Sequence, residues 1–399
     1  MSVRVAVHQQ TQRLSSPSTA GLVVVQNRET QFDAPLFRRL VDGRICRLWV
    51  IYSQERCGID PELGFAPSWD HLRPGSYPAQ TLEGRGLAGL WRLAQAIERF
   101  DPALVILCGY YPRSHLLLAL LLRLRGVRIG LRSDNTLQHS PVGGLLAWPR
   151  RRCIGVLQRL FDSWHPVGEQ AHAYLRQLSG VQRPSFAFPY AVDNAWFAER
   201  CGSERRRRHQ QLAARGWPPD AFVVLAVIKW TPREDPLTLL RAFALAAGRC
   251  RRLRLLLLGD GPQRSQVRAA LAPLTGRSHC PGFVAYGDLP GWYALADVFV
   301  HPAVNEPWGV SVNEAMACGL PVLAAAGVGA ADELLADGRG GLRFASGDAA
   351  ALAAQLQLLA SSPGLCWSLA GEARRSVAGW SHERTISNLQ KALAPCSRS

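Results

Sequence analysis

Apolar and polar positions along this chain change their period repeatedly. Apolar runs at residues 22–25, 46–52, 103–107 and 127–131, broken only at Arg47, Arg128 and Gly130, and again at 222–228 and 255–258, predict strands buried on both faces, as parallel strands covered by helices are. Between the second and third runs, Leu87, Leu90, Trp91, Ala94, Ile97 and Phe100 recur at helical spacing, which predicts a helix with that face toward a core. Strand runs and helical stretches alternate from end to end. The pattern predicts an α/β fold of doubly wound parallel sheets, and no repeat of 20 to 50 residues interrupts it.

Composition narrows the class. A chain of 399 residues has room for two domains with full cores, and 48% hydrophobic with 19% charged residues fits globular structure, not disorder. The net charge is +16, carried almost wholly by arginine, since Lys229 and Lys391 are the only lysines. Such a field attracts anions: a sugar nucleotide, an anionic lipid surface or nucleic acid. Nucleic acid is disfavoured, because no helix-turn-helix, zinc-finger or aromatic RNA-binding signature accompanies the arginines. Ten cysteines are scattered without a Cys-x-x-Cys pair, so neither a zinc site nor a disulfide framework is indicated. Residues 1–12 lack a secretory apolar core and no apolar run, 116–122 included, is long enough to span a bilayer, so a cytoplasmic location is expected.

The most informative segment runs from His301 to Ala324: a strand end, an acidic loop, a short helix opening at Gly309, a glycine stop at Gly319 with Pro321 beyond it, and another strand. The opening turn, with Val310 and Ser311, presents backbone N–H groups and a positive dipole end, a natural grip for a diphosphate. Glu306 lies just before the helix and Glu314 on it, about 6 Å beyond Val310 at ~1.5 Å per residue. Carboxylates on opposite sides of a diphosphate suit a nucleotide sugar, Glu314 on the ribose and Glu306 on the transferred sugar. A favourable helix-dipole pair on a solvated face is the alternative for two such glutamates taken alone.

Taken whole, Glu306-x7-Glu314 followed by Ala-Met-Ala-Cys-Gly-Leu-Pro-Val resembles the donor signature of retaining family-4-type glycosyltransferases, the group 1 glycosyl transferases of GT-B fold. Residues 283–302 resemble that family's segment from the base-binding turn to the acidic loop. The resemblance implies that the backbone of Phe283 and Val284 meets the nucleobase, and that Trp308, Gly309, Val310 and Ser311 belong to the donor site. It extends from about residue 186 to 393. Implied domains are an acceptor-side domain at 1–199, a donor domain at 200–378 and a C-terminal helix at 379–399 returning to the first, with binding in the crevice between the two.

Breaking a glycosyl phosphate bond builds negative charge on the leaving diphosphate, which calls for fixed cations. Residues 227–237 resemble the family's basic pair, making Lys229, Arg233 and Glu306 the candidate catalytic residues, with Glu306 orienting the sugar. The family's second lysine is here Glu234, with Arg233 one residue before it. No Asp-x-Asp occurs in the chain, so neither metal nor cofactor is expected. On the acceptor side the family's glycine pair and histidine are missing. Arg132 and Asp134 are the candidates there, with loop capping as the alternative; His139 and His165 have surface or capping explanations, and residues 205–208 read as a solvated helix end. Residues 145–161, with Trp148 and Arg150 to Arg152, suit either an anionic membrane surface, on the inner face of the plasma membrane, or a helix covering the first sheet. The implied activity is transfer of a hexosyl unit to a saccharide or lipid-linked acceptor, in cell-surface polysaccharide or glycolipid synthesis. A non-catalytic sugar-nucleotide binder and a sugar-nucleotide epimerase are the alternatives.

Overall fold

The computed structural model describes residues 20–54, 75–82, 86–139 and 147–394; residues 1–12, where a leader was considered, and residues 145–146 of the basic stretch lie outside them. The described residues form two parallel six-stranded sheets. The first contains β1 (Gly21–Gln26), β2 (Arg47–Tyr52), β3 (Ala79–Thr81), β4 (Leu104–Cys108), β5 (Ile129–Ser133) and β6 (Ser163–Pro166), in the order β3-β2-β1-β4-β5-β6. The second contains β7 (Phe222–Val227), β8 (Leu253–Leu258), β9 (Ser278–Gly282), β10 (Val298–His301), β11 (Val322–Ala325) and β12 (Gly341–Phe344), in the order β12-β11-β10-β7-β8-β9. This is the doubly wound α/β architecture that the alternating pattern predicts. The apolar runs become strands because their residues are buried on both faces: all of β1 and nearly all of β7 are inaccessible.

Each sheet reverses its strand order once, between β1 and β4 in the first and between β7 and β10 in the second. Ligands of open parallel sheets gather outside the carboxyl ends of the strands at such a reversal. In the second sheet the loops leaving that point are residues 228–235 after β7 and 302–309 after β10. They carry Lys229, Arg233, Glu234 and Glu306.

The contacts divide the chain into two units, which pass into one another at Pro189 and Tyr190, ahead of the expected 199. Helix Asn194–Arg205 lies in the second unit, burying Phe197 and Cys201. The last helix, His382–Leu393, belongs to the first unit, where His382 Nε2 bonds the Phe32 carbonyl (3.1 Å) and Asn388 donates to the Ala187 carbonyl (2.9 Å). Helix Leu87–Phe100 forms as predicted, but its buried stripe is Leu90, Leu93, Ala94 and Ile97. Leu87 and Trp91 lie outside it, and Trp91 packs under the Arg125 guanidinium at 3.9 Å from the ring centre. The arginine-rich stretch also departs from expectation. Arg205 donates to the Ala296 carbonyl, and Arg208 to the Leu295 and Ala221 carbonyls and the Asp297 carboxylate, so both tie a helix to the segment before β10. No single helix among the described residues is long and apolar enough to cross a membrane.

Candidate functional site

Helix Val310–Ala317 starts without a side-chain cap. Its cap residue, Gly309, has φ of 94°, and a Cβ there would stand 3.0 Å from Val328 Cγ1 and 3.3 Å from His301 Nε2. A side chain is thus disfavoured twice, by the left-handed conformation and by the tight fit against Val328 and His301. At the other end Gly319 adopts φ of 74°, and the Leu320 N–H returns to the Ala315 carbonyl (3.0 Å), closing the helix as its glycine stop predicts. The acidic loop before it is held by backbone bonds: Glu306 N–H to the Gly327 carbonyl (2.8 Å), Gly329 N–H to the Glu306 carbonyl (2.9 Å) and Val304 N–H to the Arg233 carbonyl (2.9 Å). Trp308 is buried, its indole N–H on Asn313 Oδ1 (3.0 Å) and its ring against Trp380. Its part is to fix the loop to the helix.

Glu314 faces inward. Its Oε2 accepts the Tyr293 hydroxyl (2.8 Å), and burial pushes the carboxyl up to about 7 against the opposing effect of that bond. Tyr293 and Asn313 lie inside the two segments that resemble the family's, but nothing in the sequence singles out either side chain. The sign of the Glu314 shift gives a prediction. A carboxyl bound more tightly to its proton when folded costs nothing below its ordinary value of 4.5 and destabilises progressively as pH rises from there through about 7. Glu314→Gln keeps an acceptor for Tyr293 but carries no charge. Its thermal stability relative to wild type is expected to rise between pH 5 and pH 8, by at most roughly 3 kcal/mol; a constant difference across that range would refute the buried carboxylate.

On the loop after β7, Arg233 is committed to carboxylates. One Nη meets Glu306 Oε2 and the other meets Glu234 Oε1 (2.9 Å). Glu234 is 7% exposed, and its Oε2 accepts the Lys229 N–H (2.7 Å). Burial, with Glu306 nearby, pushes Glu234 up to about 7 in spite of Arg233 and Lys229. His301, at the end of β10, is driven down to about 3 by burial and by Arg233, so its imidazole is neutral at physiological pH. Lys229, Arg233, Glu234 and Glu306 thus meet at the strand-order reversal, near the start of the helix that carries Glu314. Phe283 and Val284 follow β9, whose last residue, Gly282, has φ of 86°.

The first unit treats its candidates differently. Arg132 is not turned to a ligand: it is 3% exposed, paired with Asp33 (2.8 Å), bonded to the Phe188 and Pro189 carbonyls and stacked on the Phe188 ring. Asp134 is half-buried just beyond β5. His139 packs on Thr136 in a local cap (2.6 Å), whereas His165, for which a surface or capping role was expected, is fully buried beside Gly130 and pushed down to about 3. Sequence gave no notice of Ser53 and His115, bonded at 2.5 Å behind the ends of β2 and β4. Among the described residues no three His, Cys, Asp or Glu side chains gather as metal ligands do.

Comparison with known proteins finds similarity in the second unit and in the fold. Residues 221–362 match the family model of Glycosyl transferases group 1. Putative glycosyltransferase EpsD of Bacillus subtilis is 25% identical over 63% of this chain and 74% of its own length. D-inositol 3-phosphate glycosyltransferase of Actinosynnema mirum is 34% identical over 61% of this chain, which spans 60% of that relative. Among solved structures, Anabaena HepE in complex with UDP superposes with a TM-score of 0.75 at 18% identity, covering 94% of this chain and 99% of its own. HepE has also been solved with UDP-glucose.

Proposed function

We propose that this chain, which belongs to the group 1 glycosyltransferases and has their GT-B fold, moves a hexosyl unit from a nucleotide diphosphate sugar to a saccharide or lipid-linked acceptor with retention of configuration and without a metal. The observation that carries this is the meeting of Lys229, Arg233 and Glu306 near an uncapped helix start, with Glu314 four residues along. In this reading the diphosphate lies against the N–H groups of Val310 and Ser311 and the ammonium of Lys229, which stabilise charge on the leaving phosphate. Glu306 accepts hydroxyls of the sugar, and Glu314 offers its second oxygen to the ribose. The backbone at Phe283 and Val284 meets the base. The acceptor hydroxyl attacks the face the diphosphate leaves, passing its proton to a departing phosphate oxygen.

A uridine donor is supported by the UDP and UDP-glucose complexes of HepE. A lipid-linked acceptor and a peripheral membrane site on the cytoplasmic side are supported by Trp148, 70% exposed, with Arg152 against its ring. Synthesis of surface polysaccharide or glycolipid is the corresponding role. Glu234 in place of a lysine favours one second reading, a relative that binds a sugar nucleotide without transferring it.

A thermal-shift panel of UDP-, GDP- and ADP-sugars tests the donor assignment. One donor is expected to raise the melting temperature by a few degrees, the gain of about 2.7 kcal/mol at a hundredfold excess over Kd. No shift with any of them refutes it. A shift without sugar transfer or hydrolysis selects the binding-only reading.

A further inference from the structure

Before any donor arrives, the cations of this site are already matched. Lys229 and Arg233 supply two positive charges; Glu234 and Glu306 supply two negative ones, and Arg233 bridges both carboxylates. The groups around Glu234 are Arg233 and Lys229 on its own loop and Glu306 from the loop after β10, with the Thr231 hydroxyl accepting its N–H (3.2 Å). A diphosphate adds about two negative charges and competes for the same guanidinium. If Arg233 turns to phosphate, Glu234 keeps only the Lys229 N–H on Oε2 and loses the partner of Oε1. An ionised carboxylate this buried, next to a second carboxylate and a diphosphate, is the costliest charge in the site.

We propose that Glu234 is a positioning residue that couples donor loading to uptake of one proton: the diphosphate draws Arg233 from the carboxylates, and Glu234 takes a solvent proton on Oε1 in its place. The protonated acid then holds its position through Oε2 and no longer repels the phosphates, while Glu306 is released to the sugar hydroxyls. No bond other than O–H forms, and the proton comes from water. Burial and Glu306 already hold Glu234 near the pH where this exchange is easy. A lysine at this position would supply charge directly; Glu234 makes it conditional on pH. This role presupposes the donor assignment above.

Titration calorimetry of the full chain with UDP-glucose, GDP-mannose and ADP-glucose, in buffers of different ionisation enthalpy at pH 8, counts the protons. A nucleotide sugar has no group of its own titrating near pH 8, so the count belongs to the protein. Wild type is expected to take up close to one proton per donor, and its affinity to fall by about tenfold per pH unit above pH 7.5. Glu234→Gln is expected to take up almost none and to hold a level affinity across the same pH range. Binding by wild type without proton uptake overturns the proposal, as does uptake that survives in Glu234→Gln. Absence of binding by all three donors overturns the donor assignment itself, and this role with it. Should Glu234→Gln not fold, the wild-type proton count and the fall of wild-type affinity with pH still decide.

Discussion

Arg132→Ala is expected to destabilise the first unit by about 3–5 kcal/mol, the cost of leaving a buried charge without its partner. The side chain makes an ion pair with Asp33, gives two further bonds to the Phe188 and Pro189 carbonyls and packs its plane 3.8 Å from the centre of the Phe188 ring. Both charged side chains are nearly inaccessible, at 3% and 4%. Truncation strands the carboxylate and two carbonyls together. Arg132→Lys is expected to recover only part of the loss, because a single ammonium nitrogen cannot reach the three acceptors that Nε, Nη1 and Nη2 meet separately. Arg132→Met with Asp33→Leu is expected to recover most of it, since replacing a buried pair by apolar residues of similar size is often neutral. Chemical denaturation of the four proteins measures this. An Arg132→Ala protein as stable as wild type, with a raised KM for acceptor, would return Arg132 to a ligand-binding role.

That residue shows where sequence stops informing. Arg132 stands at a strand end in the position where a polar side chain meets a ligand in many open sheets, yet its partner, Asp33, is 99 positions away. Nothing local marks a long-range ion pair. The donor segment is legible for the opposite reason: strand, acidic loop, glycine-started helix and glycine stop follow one another within residues 301–324, and each is set by its own neighbours in the chain. Even there, local pattern yields positions and not pairings. Arg233 was expected on phosphate, but folding brings Glu306 to it across 73 positions, and Tyr293 to Glu314 across 21. Trp91 illustrates a finer limit. One residue is 100° of helix, enough to place a large apolar side chain outside a stripe that Leu90, Leu93 and Ile97 define.

Lys229→Ala is expected to lower turnover by roughly 100- to 1,000-fold, the effect of deleting one preorganised group that meets developing charge. The substitution isolates chemistry from folding. The backbone N–H of residue 229, which anchors Glu234 at 2.7 Å, is kept, and the side chain is partly exposed rather than core. Lys229 lies just beyond the carboxyl end of β7, on the same loop as Arg233 and beside Glu234, where the leaving diphosphate is expected. Its charge should therefore count for more in the transition state than in donor binding, since the leaving diphosphate gains charge as the glycosyl bond breaks. The expected signature is a large fall in kcat with a small rise in donor KM. Steady-state transfer or donor hydrolysis, run with a thermal melt to confirm the fold, reads both. Equal losses in kcat and donor affinity would mean that Lys229 holds the donor without favouring its transition state, and an unchanged kcat would remove it from the reaction altogether.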